Sequence, residues 1–279
     1  MIIAIYVALA AFTAYFARMF FASLGGTRPT PSHLITGFVT NFFDTLGIGS
    51  FATTTAIFKF RSMVPDHLIP GTLNAGHTLP TILQAFLYIT AIEVEAVTLV
   101  LLIAGATAGG WFGAVAVAGL SRRRVQLGLG GALLFAAVVL VLRQFDLFPA
   151  GGDALGLTGG KLIAAVLGNL AFGAISTLGI GFYAPCMTMI SLLGMNPAAA
   201  FPIMMGSSAF LMPVASAQFV KRKAFSPPVA LGLAVGGLAG VPLAAFVVKS
   251  LPLDGLRWLV IAVVLYAAAL MLRSGGKSK

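Results

Sequence analysis

The chain has 279 residues, 59% hydrophobic and 9% charged, with a mean hydropathy of +1.03. A soluble domain carries roughly 25% charged residues to cover its surface, so this composition excludes a water-soluble globule and describes a polytopic membrane protein. Seventeen Lys and Arg against seven Asp and Glu give a net charge of +10. These basic residues sit between apolar runs, where they act as topology signals and not as a nucleic-acid surface. A single cysteine, Cys186, excludes an internal disulfide framework and a Cys-based zinc cluster.

Nine apolar stretches follow in chain order, at 2–22, 33–58, 67–91, 96–120, 126–142, 161–194, 198–220, 228–250 and 255–272. The first is predicted to be a retained helix, because Met1 is followed by Ile2 and Ile3 with no basic start and no small-residue cleavage pattern. Seven stretches have about the 20 residues that a hydrocarbon core of ~30 Å requires. The stretches 33–58 and 161–194 do not; as one helix the second would reach about 50 Å. Each contains the same interruption, Thr45-Leu46-Gly47-Ile48-Gly49 and Thr177-Leu178-Gly179-Ile180-Gly181, and glycine pairs are where a helix breaks at little cost.

The interruptions belong to an internal repeat. A shift of 132 residues aligns 44–70 with 176–202 without a gap, with nine identities in 27 that include TLGIG, Met63 with Met195, Pro65 with Pro197 and Pro70 with Pro202. At the same shift Val97 meets Val229, Asn74 meets Gly206, and Ala75-Gly76 meet Ser207-Ser208. The expected organisation is one integral membrane domain: an extra N-terminal helix and loop at 1–30, a first repeat at 31–146, a linker at 147–160, a second repeat at 161–274 and a tail at 275–279.

Charge decides how the repeats are oriented. If both interrupted segments cross the membrane, the repeats are parallel and 10 of the 17 basic residues fall inside. If each dips in and returns, 13 fall inside and only Arg143, Lys161, Lys249 and Arg257 remain outside. The positive-inside rule favours the second arrangement: all-α, with seven full crossings, two re-entrant hairpins, inverted repeats, the N-terminus outside and the C-terminus inside.

Unpaired backbone groups at membrane depth cost several kcal/mol each, so a broken helix must be buried in protein or line a watery cavity. The second half-helix of each hairpin presents free N–H groups and a partial positive charge, which favour an anion. Transporters built from inverted repeats use such ends for substrate. The bland alternative is that the glycines merely allow close helix packing. The twice-occurring pattern of a GIG turn, a proline and a small-residue segment, as in Asn196-Pro197-Ala198-Ala199-Ala200 and Gly206-Ser207-Ser208, resembles the TauE/SafE family of sulfite-exporter-like permeases over about residues 33–272. The resemblance implies a duplicated helical permease for small anions, chiefly sulfite and organosulfonates such as sulfoacetate. Ser50-Phe51 and Phe182-Tyr183 stand where many members carry a longer glycine run.

The candidate substrate-binding residues are Thr45, Gly47, Ile48, Gly49, Ser50, Asn74, Thr177, Gly179, Ile180, Gly181, Ser207 and Ser208. Asp44, the only carboxylate deep in an apolar stretch, is either a proton-coupling residue or a cap for the broken helix; its counterpart is Ser176. His77, three residues beyond Asn74, is a second coupling candidate, with a carbonyl-bonded buried histidine as the alternative. Asn41, Gln84, Asn169 and Gln218 read as interhelical hydrogen-bonding residues. The methionines 187, 189, 195, 204, 205 and 212 read as adaptable packing ahead of a copper path. Arg122–Arg124 and Lys221–Lys223 anchor orientation at anionic headgroups.

No HExxH, GxSxG or intramembrane carboxylate pair points to an enzyme, and no cofactor is expected. The expected partners are a small anionic substrate and membrane lipid, with no nucleic acid; a homo-oligomer is left open. The expected location is the cytoplasmic (inner) membrane. The competing readings are a cation channel or cation/proton exchanger, and a non-transporting assembly factor.

Overall fold

The computed structural model describes residues 2–46, 48–89, 92–147, 150–179, 181–247 and 253–277. Among them the chain forms eleven α-helices and no strand beyond an isolated bridge between Ala154 and Met195. Helix α1 (Ile2–Ser23) precedes a first set of five: α2 (Pro31–Thr45), α3 (Ser50–Arg61), α4 (Ile69–Tyr88), α5 (Ala96–Val117) and α6 (Arg122–Gln144). The second set is α7 (Gly159–Ser176), α8 (Tyr183–Leu192), α9 (Ala200–Lys221), α10 (Pro227–Pro242) and α11 (Leu253–Lys277). Both expected interruptions divide their stretch into two helices.

Helix α2 opens on a capping box. Thr30 Oγ1 accepts from His33 N at 3.4 Å, His33 Nδ1 accepts from Thr30 N at 3.2 Å, and Pro31 stands at the first helical position. Its 15 residues span only about 22 Å. The first set thus begins with a helix too short to cross a bilayer, followed by the 12 residues of α3.

Among the described residues six helices are long and apolar enough to cross a membrane: Ile3–Ser23, Ala96–Val117, Arg122–Leu142, Gly159–Ser176, Pro197–Lys221 and Pro227–Phe246. The chain is a multi-pass helical membrane protein. Helix α4 has 20 residues but is kept out of that set by Thr72, Asn74, His77, Thr78, Thr81 and Gln84. All six side chains are buried, because α9 and α10 pack along α4 and shield it from lipid. A polar helix survives at membrane depth when its hydrogen bonds are made to neighbouring helices.

Contacts between named residues fix the directions of the helices. Arg61 Nη1 donates to Ser32 Oγ at 3.0 Å, so α3 returns to the end where α2 began. Lys161 Nζ donates to Leu193 O at 2.9 Å and closes α7 and α8 in the same way. Helices α4 and α9 run antiparallel: Gly71 abuts Ala224, Thr78 and Ser216 hydroxyls lie 3.2 Å apart, and the Tyr88 and Phe201 rings stack at 6.3 Å. Helices α2 and α10 run parallel, with Gly232, Gly236 and Gly240 against His33, Leu34 and Phe38. Helices α5 and α7 do likewise, with Gly105, Gly109 and Gly113 against Val166, Leu170 and Ala174. Small residues let these backbones approach closely.

The two ends of the bundle differ in character. One gathers Lys59 with Asp66 at 3.0 Å, Arg222 Nη1 on Val115 O at 2.5 Å, and Ser226 N on Thr72 Oγ1 at 2.9 Å. The other joins Glu95 N to Leu155 O at 2.7 Å and Gly152 N to Met195 O at 3.0 Å.

Like backbone bonds recur in the two sets of helices, with one change of register. Through the hairpins the offset is 132: Met63 N donates to Phe58 O and Met195 N to Ile190 O, both at 3.1 Å, after left-handed Ser62 and Gly194. From the proline turn onward it becomes 131: Leu68 N donates to Pro65 O where Ala199 N donates to Asn196 O, and the helices that follow open at Ile69 and Ala200. The glycine contacts follow the new register: Gly105 faces Val166 O where Gly236 faces Leu34 O, and Gly109 faces Leu170 O where Gly240 faces Phe38 O. The pairing of Asn74 with Gly206 expected from an unbroken shift is therefore one residue out. Gly76 corresponds to Ser207, and His77 to Ser208.

Candidate functional site

At the first break α2 ends at Thr45 with Leu46 as its C-cap, and Ile48 N returns to Phe43 O at 3.0 Å. Gly49 then takes φ +92, a left-handed conformation costly for any residue with a Cβ, and redirects the chain into α3. The second break ends with Gly179 N donating to Ser176 O at 2.9 Å, and here Gly179 takes φ +110. Each TLGIG segment thus has a left-handed glycine among its described residues. Gly47 and Ile180 lie outside the described residues.

Both breaks face one cavity of about 100 Å³, well above the roughly 10–15 Å³ that one water needs. Asp44, Ile48, Gly49 and Ser50 line it from the first hairpin, and Ser176, Gly181, Phe182, Tyr183 and Met187 from the second. Phe135, Ala136, Val139 and Leu140 of α6 form one wall; Phe201, Met204, Met205, Ser208 and Met212 of α9 form another, and Thr81 of α4 adds a hydroxyl. Asp44 is the only charged residue among these.

The hairpins treat their second half-helix differently. Asp44, 2% exposed, accepts from Ser50 N through Oδ1 at 2.7 Å and so caps α3 with a carboxylate, the group a helix N-terminus stabilises best. Its equivalent, Ser176, turns its hydroxyl back to Gly173 O at 2.9 Å, and the N-cap residue of α8, Phe182, offers no side-chain cap. The partial positive charge of α3 meets the Asp44 carboxylate, and the start of α8 lies at the cavity wall.

A hydrogen-bond bridge joins the hairpins. Gln84 of α4 donates Nε2 to Asp44 Oδ2 at 3.0 Å and to Thr45 Oγ1 at 2.9 Å, and its Oε1 accepts from Tyr183 OH of α8 at 3.1 Å. Thr45 Oγ1 donates to Asn41 O at 2.8 Å. Tyr88 OH reaches Thr45 O at 3.4 Å.

The remaining sequence-predicted residues stand behind the cavity wall. Thr45 and Thr177 direct their hydroxyls to backbone carbonyls. Asn74 donates Nδ2 to Pro70 O at 2.8 Å and to Thr177 O at 3.1 Å, tying α4 to the end of α7, while its Oδ1 is buried without a partner. Ser207 accepts from Asn169 Nδ2 at 3.4 Å, and a Cβ on Gly179 would meet Leu129. His77 uses both ring nitrogens, Nδ1 with Asn41 Oδ1 at 2.9 Å and Nε2 with Thr54 Oγ1 at 3.0 Å. Asn41 Nδ2 is committed to Gly37 O, so Oδ1 faces the ring and Nδ1 carries the hydrogen. The arrangement struts α2, α3 and α4 together.

Tyr183, Thr81 and Ser176 are cavity residues that sequence reasoning did not single out, and Gln84 enters through its bond to Asp44. For Ser176 the signal was present in its equivalence to Asp44; for Tyr183 it was its position two residues after the second GIG turn. Among the described residues no three His, Cys, Asp or Glu side chains gather as metal ligands. Comparison with known protein families, curated proteins and solved structures returned no match.

Proposed function

We propose that the chain is a permease of the cytoplasmic membrane that moves small anions, sulfur oxyanions or organosulfonates such as sulfite and sulfoacetate, by opening the hairpin cavity to either side in turn. The observation that carries this reading is the single cavity walled by both helix breaks. The return of each hairpin to its own starting end and the antiparallel course of α4 and α9 support inverted repeats with re-entrant hairpins, as in midplane transporter sites. The basic residues Lys59, Arg61, Arg122 and Arg222 at the Asp66 end support that end as cytoplasmic. The start of α8 supplies the anion-attracting pole, and the resemblance to the TauE/SafE permeases supplies the substrate class. Asp44 would carry the coupling proton, since an ionised carboxylate in the same cavity repels an anion. On this reading the chain is not an enzyme, and it meets membrane lipid and an anionic substrate and no nucleic acid.

A second reading, cation or cation/proton exchange, is favoured by one observation: the cavity's lone charge is negative and its walls carry four thioethers. Uptake of radiolabelled sulfite, sulfoacetate and sodium into proteoliposomes separates the two. Saturable sulfite or sulfoacetate uptake supports the first; sodium uptake with neither anion transported overturns it.

A further inference from the structure

Resting on the anion reading above, we propose that Tyr183 is a switched donor: proton uptake by Asp44 reverses the Gln84 amide and releases the tyrosine hydrogen into the cavity, where it binds the anion. The chain of hydrogen bonds has a direction. An ionised carboxylate only accepts, so Asp44 takes Ser50 N–H on Oδ1 and Gln84 Nε2–H on Oδ2. That leaves Gln84 only its Oε1 for the tyrosine, whose one hydrogen is spent there at 3.1 Å. An anion arriving in this state meets a carboxylate and a phenol with its hydrogen turned away.

A proton on Oδ2 makes Asp44 a donor toward Gln84. The amide then satisfies both neighbours only if it turns over, with Oε1 accepting from Asp44 and Nε2 donating to the Tyr183 oxygen. Thr45 Oγ1 loses the N–H it accepted and turns its own hydrogen from Asn41 O to the new Oε1; Asn41 O keeps its helical bond. Ser50 N–H still has Oδ1. Both carboxyl oxygens and the amide oxygen remain paired, and two hydrogens are left over, the second on Gln84 Nε2 and that of Tyr183. The tyrosine hydrogen is released beside the start of α8. One proton at the first hairpin therefore frees a tyrosine donor at the second, without a basic side chain.

The other groups facing Asp44 leave the switch to this bridge. Helix α4 brings Tyr88, which donates to Thr45 O, and, farther back, His77, held by Asn41 and Thr54. Helix α3 brings Ser50, whose hydroxyl as well as its N–H faces the carboxyl, and α8 brings Tyr183, against which α4 also sets the Thr81 hydroxyl. The described cavity residues of α6 and α9 are apolar or thioether side chains apart from Ser208.

The test is a double-mutant cycle of Asp44→Asn and Tyr183→Phe, reading sulfoacetate affinity in detergent between about pH 6 and 8, where this probe stays fully ionised. An asparagine mimics the protonated acid and holds the switch over. At pH 8 Tyr183→Phe should leave affinity unchanged in the Asp44 background and weaken it about tenfold in the Asp44→Asn background, the loss expected for a hydrogen bond to a charged group. Equal losses in both backgrounds would describe a fixed tyrosine contact and overturn the switch. The C–O stretch of Tyr183, isolated as the infrared difference from Tyr183→Phe, reads the same event without ligand. It should shift on Asp44→Asn, and an unshifted band overturns the proposal. A shifted band with no sulfoacetate or sulfite binding overturns the anion reading alone.

Discussion

Asp44 and Ser176 occupy the same position of the two units and line the same cavity, yet only Asp44 reaches across its break. Its Oδ1 lies 2.7 Å from Ser50 N, whereas Ser176 Oγ folds back onto Gly173 O at 2.9 Å. One hairpin therefore has a carboxylate spanning its break where the other has a hydroxyl folded back onto its own helix.

Replacing Asp44 separates its two duties. Asp44→Asn retains the Ser50 and Gln84 bonds and should keep anion exchange while losing uptake driven by a pH gradient. Asp44→Ala also strands the buried Ser50 N–H and the Gln84 amide, and should cost about 1–3 kcal/mol of stability. Exchange and gradient-driven flux in proteoliposomes, with thermal melting, check both. A full gradient response in Asp44→Asn would leave the residue as a cap alone.

Gly181 and Gly179 should fail differently. A Cβ at Gly181 meets nothing within 4 Å, and the residue lines the cavity, so Gly181→Leu should fill the site and abolish anion flux with a stability change below about 1 kcal/mol. Gly179 has φ +110 and its Cβ would lie 2.6 Å from Leu129. Gly179→Leu should also stop transport, but through about 1–3 kcal/mol of backbone strain and added overlap. Flux and melting temperature measured together distinguish obstruction from distortion.

Topology has a direct test. The loop Lys221–Lys223 and the turn at Pro65 meet at one end of the bundle, joined through Thr72 and Ser226. Single cysteines at both positions should react with an impermeant reagent from the cytoplasmic face, and a cysteine at Asn196 only from the opposite face. Labelling of the first two from different sides would rule out the inverted arrangement.

Glu95 caps α5 from outside the membrane, accepting from Val97 N at 3.0 Å and Thr98 N at 2.7 Å. Its bonds with Thr98, and then that to Val97, hold its carboxyl below the ordinary value of 4.5. The stabilising contribution is therefore full above that ordinary value and is lost as pH falls through the lower, folded-state one. Glu95→Gln should lower the melting temperature near neutral pH, by the equivalent of roughly 0.5–1 kcal/mol for an exposed cap. The gap from wild type should close under strong acid; a gap independent of pH would remove the charged cap from the explanation.

His77→Gln removes a titrating ring from the strut between Asn41 and Thr54. It should lower stability by about 1–3 kcal/mol while leaving the midpoint of the pH profile for transport in place. A displaced midpoint would assign His77 a part in coupling.

Much of the helical layout was legible because membrane helices are constrained by length. The 34 residues of 161–194 had to break, and TLGIG named the place in both repeats. The one-residue contraction between Met195 and Asn196 was hidden, since Pro70 and Pro202 still align at 132 and nothing in the letters marks where backbone equivalence shifts. In the cavity, Asp44 announced itself as a carboxylate in an apolar run, and the GIG glycines as breaks. Tyr183 did not, because its role depends on Gln84, 99 residues away. Asn74 and Ser207 are polar in the same way as Ser208, and only the rotation of α4 and α9 about their axes decides which of them meets the cavity.

The crossed bedding of the hairpins governs how the molecule can be divided. Helix α2 lies on the glycines of α10, and α7 on those of α5, so each half shelters the opening helix of the other. A chain cut in the linker at 147–160 would leave each fragment with an exposed hairpin and an empty glycine groove. The two fragments made together should find one another, whereas either made alone should fold poorly, since each half supplies the bed for the other's opening helix.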